Sequence, residues 1–213
     1  MKKTFLFIAL ISIASFAFGQ REVKNGVVID KQAETIISNV GSKLKTETPI
    51  SLNFSLNKKG NKSSDKGTLT LNGNKYIASF SDNKVYCDGK TVWVYQKGTN
   101  EVNVNNIAET ENEVLNISKF ISEANTKFRP KLIREENGNY IIDLSPKTKS
   151  EFSKVRLKIN KQTSRIASME VNYKGGNVYS YTISNYKTKI KIKDSSFTFS
   201  KKDYPTASIV DLR

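Results

Sequence analysis

Two hydrophobic periods divide the chain. Ile29, Ala33, Ile36, Ile37, Val40 and Leu44 recur at steps of three and four, which places them on one face of a helix. Pro49 lies just past that run, where a helix does not readily continue. From there the period is two. Leu52, Phe54 and Leu56 alternate with Asn53 and Ser55; the polar run 58–67 predicts a long turn, and Leu69 and Leu71 resume the alternation. Asn72-Gly73 predicts a turn before Tyr76, Ala78 and Phe80. Val85-Tyr86, Asp88-Gly89 and residues 91–95 predict a tight hairpin, because Asn-Gly and Asp-Gly supply the positive φ that such turns need. Val102 and Val104 follow the turn at 98–100. The helical period returns over residues 107–125, where Val114, Ile117, Ile121 and Ala124 share a face flanked by Leu115 and Phe120. Alternation then resumes: residues 131–135 and Tyr140, Ile142 and Leu144 about Asn137-Gly138; Val155, Leu157 and Ile159; Ala167, Met169, Val171 and Tyr173; Tyr179, Tyr181 and Ile183 after Gly175-Gly176. Ile190 and Ile192 between lysines, with Phe197 and Phe199, predict a last strand.

The pattern amounts to about ten or eleven short antiparallel strands, interrupted by a helix near the start and another in the middle. One apolar face per strand leaves the other face in water, and a sheet this wide must curl or close. Phe54, Phe80, Tyr140, Tyr179, Tyr181 and Phe199 fall on the inward parity. Such a face packs as an ordinary core, or, when curled and capped by helices, encloses an apolar cavity; filled interiors are the commoner result.

The start of the chain is an address. Met1-Lys2-Lys3 is basic, residues 5–18 are apolar apart from Ser12 and Ser15, and Ala17-Phe18-Gly19 places small residues about a cleavage site. Residues 1–19 are therefore expected to be a removed secretory signal, and residues 20–213 a single domain without a linker or repeat. The apolar run is short for a membrane span, and no lipid-accepting Cys follows it.

Composition narrows the chemistry. The chain has 213 residues and no His, so no imidazole base, triad or imidazole metal ligand is available. The one Cys, Cys87, forms no internal disulfide and is expected to be a buried, inert thiol. Glu135-Glu136 sit before a turn, and Glu109, Glu111 and Glu113 suit an exposed helix start, so no carboxylate pair stands out for acid–base work. Phosphate loops, dinucleotide fingerprints and metal motifs are absent, and the expectation is neither an enzyme nor a cofactor binder. Lys and Arg exceed Asp and Glu by 15; between Leu144 and Lys193 there are twelve basic and two acidic residues. A solvated lysine face and a surface that docks on anionic lipid or an acidic partner fit this equally. Nucleic acid fits the charge but not export.

The run Val85-Tyr86-Cys87-Asp88-Gly89-Lys90-Thr91-Val92-Trp93-Val94-Tyr95 resembles the family of periplasmic outer-membrane lipoprotein carrier proteins, the LolA-like proteins, through Asp88, Gly89, Lys90, Thr91 and Trp93. The order of elements and the closing Phe197-Thr198-Phe199 resemble it too. The resemblance implies a mainly β fold with two or three helices: an incomplete, strongly curved antiparallel β-barrel with a helical lid over an apolar cavity. It implies a monomeric carrier that takes lipoprotein acyl chains from an inner-membrane ABC-type release complex and passes them to an outer-membrane receptor, without a cofactor. The implied lining is Leu44, Phe54, Ala78, Phe80, Val85, Leu115, Ile117 and Phe120, each of which also suits a plain core. In the family an Arg-Pro-Asn run latches the lid. Here the matching residues 71–76 hold only Lys75, which lacks the planar fork of a guanidinium. A carrier of another lipid remains open, as does a periplasmic regulatory module of the same fold. Such regulators add a second domain, for which the residues beyond Phe199 are expected to be too few.

Overall fold

The computed structural model describes residues 21–24, 27–107 and 116–213. The expected signal segment, Glu109, Glu111, Glu113, Val114 and Leu115 lie outside them. The hairpin of β1 (Arg21–Lys24) and β2 (Val27–Asp30) leads into α1 (Lys31–Glu47). Ile29, which the periodicity assigned to the helix face, belongs to β2, because Asp30 ends the strand and caps the helix. One Asp30 carboxylate oxygen accepts the Ala33 N–H at 2.9 Å, and the other accepts the Leu132 N–H at 2.9 Å. The same carboxylate starts the helix and fastens it to the sheet edge. Ala33, Ile36, Ile37, Val40 and Leu44 are buried, as their spacing predicts. The Thr48 N–H returns to the Leu44 carbonyl and closes the helix ahead of Pro49.

A meander follows: β3 (Ile50–Lys58), β4 (Ser64–Asn72), β5 (Lys75–Phe80), β6 (Asn83–Cys87), β7 (Thr91–Gln96) and β8 (Glu101–Asn106). The turn expected over 58–67 is shorter, since β4 starts at Ser64 and pairs it with Asn57. Ser64, Asp65 and Lys66 are exposed, so this end of the strand carries no apolar alternation. Of the second helix, α2 (Ile117–Lys127) is described. The Asn116 side chain accepts the Lys119 N–H at 3.0 Å, and Ile117, Phe120, Ile121 and Ala124 are buried. A second meander, β9 (Phe128–Glu136), β10 (Asn139–Pro146), β11 (Phe152–Asn160), β12 (Ile166–Tyr173) and β13 (Val178–Lys187), returns so that β13 pairs with β3.

The strand expected about Ile190 and Ile192 does not form. After β13 the chain leaves the ladder and crosses the strand ends, where the Lys189 N–H bonds the Glu47 carbonyl and the Ile190 N–H the Pro49 carbonyl. One side of this crossing rests on protein and the other faces water, which imitates the period of a strand. Phe197 closes a short 3-10 turn and is fully buried. The strand that does follow, β14 (Ser208–Asp211), lies parallel to β8. The resulting sheet has twelve strands in the order β14-β8-β7-β6-β5-β4-β3-β13-β12-β11-β10-β9. Its two edges do not pair, so it is a strongly curled, incomplete barrel, with α1 and α2 over its concave face.

Candidate binding interior

Register builds the interior from aligned apolar rows. Leu52, Leu69, Ala78, Val85 and Val94 stand opposite one another from β3 to β7, and Ile50, Leu71, Tyr76, Cys87 and Val92 form the row beside them. On the other half Ile142, Leu157, Met169 and Tyr181 run across to Leu56. Both halves and the buried faces of α1 and α2 make one continuous cluster. Leu44, Phe54, Ala78, Phe80, Val85, Ile117 and Phe120 all belong to it, so the structure brings together seven of the eight expected lining residues; Leu115 lies outside the described residues. Tyr140 and Tyr181 also pack against it, and Tyr179 stands opposite Val171 with its ring against Tyr173, but Phe199 does not join them: it sits on the convex side, against Tyr86 and Tyr204.

Aromatic rings fill much of this space. Phe54 contacts Phe80 and Tyr181 at 6.3 Å between centroids in each case. The Phe54 ring occupies the place where Gly67 has no side chain: a Cβ there would overlap Phe54 Cζ and stand 2.6 Å from the Ser79 carbonyl oxygen. A second series starts on the helix at Phe120 and passes through Phe128, Phe152, Tyr173 and Tyr179. Between α1, α2 and the sheet lies a crevice of about 10 Å³, lined by Leu44, Ile50, Leu71, Ile117 and Ile166 among others, and a more open groove of about 500 Å³ runs between α1, α2 and the β4–β5 turn. The crevice itself is closed by its own side chains, with room for about one water.

Polar groups gather at its margin. Burial pushes the Tyr76 hydroxyl and the Cys87 thiol above their ordinary values, which makes Cys87 the inert thiol expected. At the mouth of the crevice, Arg165 donates to both oxygens of Glu47, at 3.0 and 2.7 Å, and its guanidinium lies 4.5 Å from the centre of the Tyr186 ring. Lys43 adds a contact at 3.3 Å. The Arg165 hydrogen bonds hold the Glu47 carboxyl below its usual range. This clasp joins the end of α1 to the turn between β11 and β12. Lys75, the one basic residue in the stretch 71–76 that was expected to correspond to the latch, is engaged elsewhere: both oxygens of Asp194 accept from it at 2.6 Å. Sequence reading missed the clasp because its two partners are far apart in the chain and neither stands in a motif.

Besides the clasp at the end of α1, the helices are tied to each other and to one edge of the sheet. Asn125 of α2 donates to the Glu34 carbonyl and the Ser38 hydroxyl of α1, and among the sheet strands it is β9 that their backbones approach most closely. Over the other strands they rest on side chains.

The Asp88-Gly89-Lys90-Thr91 turn is outside the interior. Asp88 accepts the Lys90 and Thr91 N–H groups at 2.8 Å each, and Gly89 takes φ +95°. Trp93 points to the convex face, where it packs with Tyr95, Val102, Val104, Phe199, Tyr204 and Ala207. These motif residues shape the hairpin and its outer cover rather than the lining.

No helix of the described residues is long and apolar enough to cross a membrane. An uncharacterized conserved protein from Thermus thermophilus has a similar structure, with 14% identity, TM-score 0.57, and 84% of this chain and 99% of that one covered. A putative outer membrane lipoprotein-sorting protein domain from Vibrio parahaemolyticus is similar at 12% identity, TM-score 0.50, with 82% and 98% covered. At these identities the likeness is one of fold. No curated protein matches the sequence significantly. The profile of the outer membrane lipoprotein carrier protein LolA matches residues 14–169, within which lie α1, the Asp88–Thr91 turn, α2 and most of the apolar rows, and the chain belongs to that family.

Proposed function

We propose that the chain is a periplasmic, non-catalytic carrier of lipid-modified proteins, working as a monomer after removal of residues 1–19. On this reading it takes acyl chains from an inner-membrane ABC-type release complex and delivers them to an outer-membrane receptor. The observation that carries the reading is the run of apolar rows across the curled sheet beneath two helices that cover it through apolar side chains. Each buried methylene contributes about 0.8 kcal/mol, so acyl chains do not leave a bilayer unless an apolar surface receives them. The closed crevice makes that surface conditional: the Glu47–Arg165 clasp parts, α1 and α2 lift from the sheet, the aromatic rings turn aside, and the chains replace the helix side chains against the sheet. Leu44, Phe54, Ala78, Phe80, Val85, Ile117 and Phe120 then become lining, as does Leu115.

The test is release. The exported chain is incubated with spheroplasts that retain newly made lipoproteins, and the supernatant is examined for a soluble one-to-one complex. Phe80 is half-buried at the open end of the rows, so Phe80→Glu is tolerated by the fold and lowers release at least tenfold, because a desolvated carboxylate faces the acyl chain. Release equal to that of the unaltered chain removes the interior from the mechanism. Absence of release, with other lipid found bound to the purified protein, assigns a different cargo.

A further inference from the structure

Residues 187–193 read Lys-Thr-Lys-Ile-Lys-Ile-Lys and form no strand beyond Lys187. Lys187, Lys189, Lys191 and Lys193 are all exposed, while Thr188, Ile190 and Ile192 are half-buried between them. The backbone is pinned to the α1–β3 connection through the Glu47 and Pro49 carbonyls. The lysines therefore project as a fixed row rather than from a loose tail. By the antiparallel register, this row lies at the end of the barrel that also carries the turns after β4, β6 and β11 and the end of α1. Lys45 and Lys90 are exposed at the same end.

The acids of this rim are spent. Glu47 is held by Arg165 and Lys43, Asp194 by Lys75, and Asp88 by the N–H groups of its own turn. Among the described residues none of the six lysines named has an acidic partner. The contrast with the convex face of β9–β12 is direct. There Asp143 accepts both Arg156 and Lys154, and Glu136 accepts Arg134, so much of the charge is neutralised within the protein. The crevice mouth, with Lys43, Arg165 and Tyr186 in its lining, opens beside the free row.

We propose that this lysine rim docks the chain on an anionic phospholipid surface and so places the crevice mouth against the bilayer. Four regularly spaced ammonium groups on one ridge are point charges without the fork geometry that selects a particular carboxylate, which suits a diffuse layer of headgroups better than one acidic peptide. The proposal deepens the carrier reading and rests on it for its purpose, but its test does not.

Binding of the exported chain to phosphatidylcholine vesicles with and without phosphatidylglycerol is measured by flotation. Binding is expected to the anionic vesicles alone and to fall as salt rises from about 0.05 to 0.3 M. The triple variant Lys189→Gln, Lys191→Gln, Lys193→Gln lowers the partition coefficient about 100-fold, on the order of fivefold per lysine. The variant Lys59→Gln, Lys62→Gln, Lys66→Gln removes equal charge from the exposed hairpin at the other end of the barrel and keeps binding within about threefold. Equal losses in both triples, or no binding to anionic vesicles at low salt, overturn the proposal. If vesicles are ignored while the rim triple still blocks lipoprotein release, the rim serves an acidic protein partner instead. Uptake of a soluble fluorescent fatty acid is read in parallel: its failure with intact vesicle binding discards the carrier reading and leaves the docking surface standing.

Discussion

The concave interior and the small cluster on the convex side are both built from apolar side chains, yet they are fastened differently. The interior is broad, and its cover consists of helices that touch most of the sheet through side chains alone. The convex cluster is narrow and bolted down. The hydroxyls of Tyr86 and Tyr204 share a hydrogen bond at 2.9 Å, the Asn100 amide donates to the Thr206 carbonyl at 3.1 Å, Lys201 donates to the Ala207 carbonyl, and β14 adds a ladder to β8. Dispersion and area hold most of the first without direction, with hydrogen bonds only at the margins of its cover, so its parts can slide or part and re-form. Oriented hydrogen bonds hold the second in one geometry. The proposed carrier role needs both: a cover that opens, and a sheet that stays curled while it does.

The largest effect expected from breaking this comparison is at Tyr204, whose ring meets those of Tyr95, Phe199 and Tyr86. Tyr204→Ala lowers unfolding stability by about 3 kcal/mol, as ring deletions in packed sites do. Uptake of a fluorescent fatty acid by the folded protein stays unchanged. Tyr204→Phe removes only the hydroxyl pair and costs about 1 kcal/mol. Denaturant titration with fatty-acid binding on the same samples checks both. A parallel loss of binding and stability in Tyr204→Ala contradicts the separation of the two clusters.

Gly67 gives the next effect, this time on the concave side. A Cβ at this position displaces the Phe54 ring or pushes back the Ser79 carbonyl. Gly67→Ala costs about 2 kcal/mol by overpacking. It also shifts Phe54 away from Phe80 and Tyr181, so the closed interior opens more easily and fatty-acid uptake is faster. Paired with Phe54→Leu, which frees the space, most of the stability returns. A Gly67→Ala protein as stable as the parent shows that the ring is not seated there.

Much of this was legible in the chain. The alternation about Leu52, Leu69, Val85, Leu157 and Val171 read correctly because one face of each strand is covered and the other is wet. The α1 stripe read correctly because a single face of the helix meets the sheet. What alternation cannot report is what lies on the other side of it. Ile190 and Ile192 alternate with lysines because a crossing segment rests on the barrel end, not because a ladder runs there. Phe199 kept inward parity in the sequence and lies outside, since the chain has left the sheet before reaching it. β14 was invisible: Ser208–Asp211 is exposed throughout and carries no alternating burial to imprint on its sequence. The Glu47–Arg165 clasp was hidden for a different reason, because a charge pair leaves no period at all.

That clasp supplies the smallest of the three effects and the one that bears most directly on opening. Glu47 is nearly buried, while Arg165 keeps about a third of its side-chain surface in water, so solvent screening limits the pair to about 1 kcal/mol. The Arg165 hydrogen bonds lower the Glu47 pKa in the folded protein. A depressed carboxyl contributes stability that is present above its unfolded value, about 4.3, and is lost as pH falls through the folded value. The clasp is therefore closed at neutral pH and loosens only in acid, below the range in which an ordinary glutamate takes up its proton. Glu47→Gln removes the charge at every pH. At pH 7 it should admit fatty acid about fivefold faster, with little change in the final amount bound, because the mouth moves more freely while the lining is untouched. Acidifying the parent protein should bring its uptake rate toward that of the variant, and the variant should respond much less to the same acidification. A variant that gains as much rate as the parent on acidification places the pH response elsewhere, with the remaining carboxylates, and removes the clasp from the opening step.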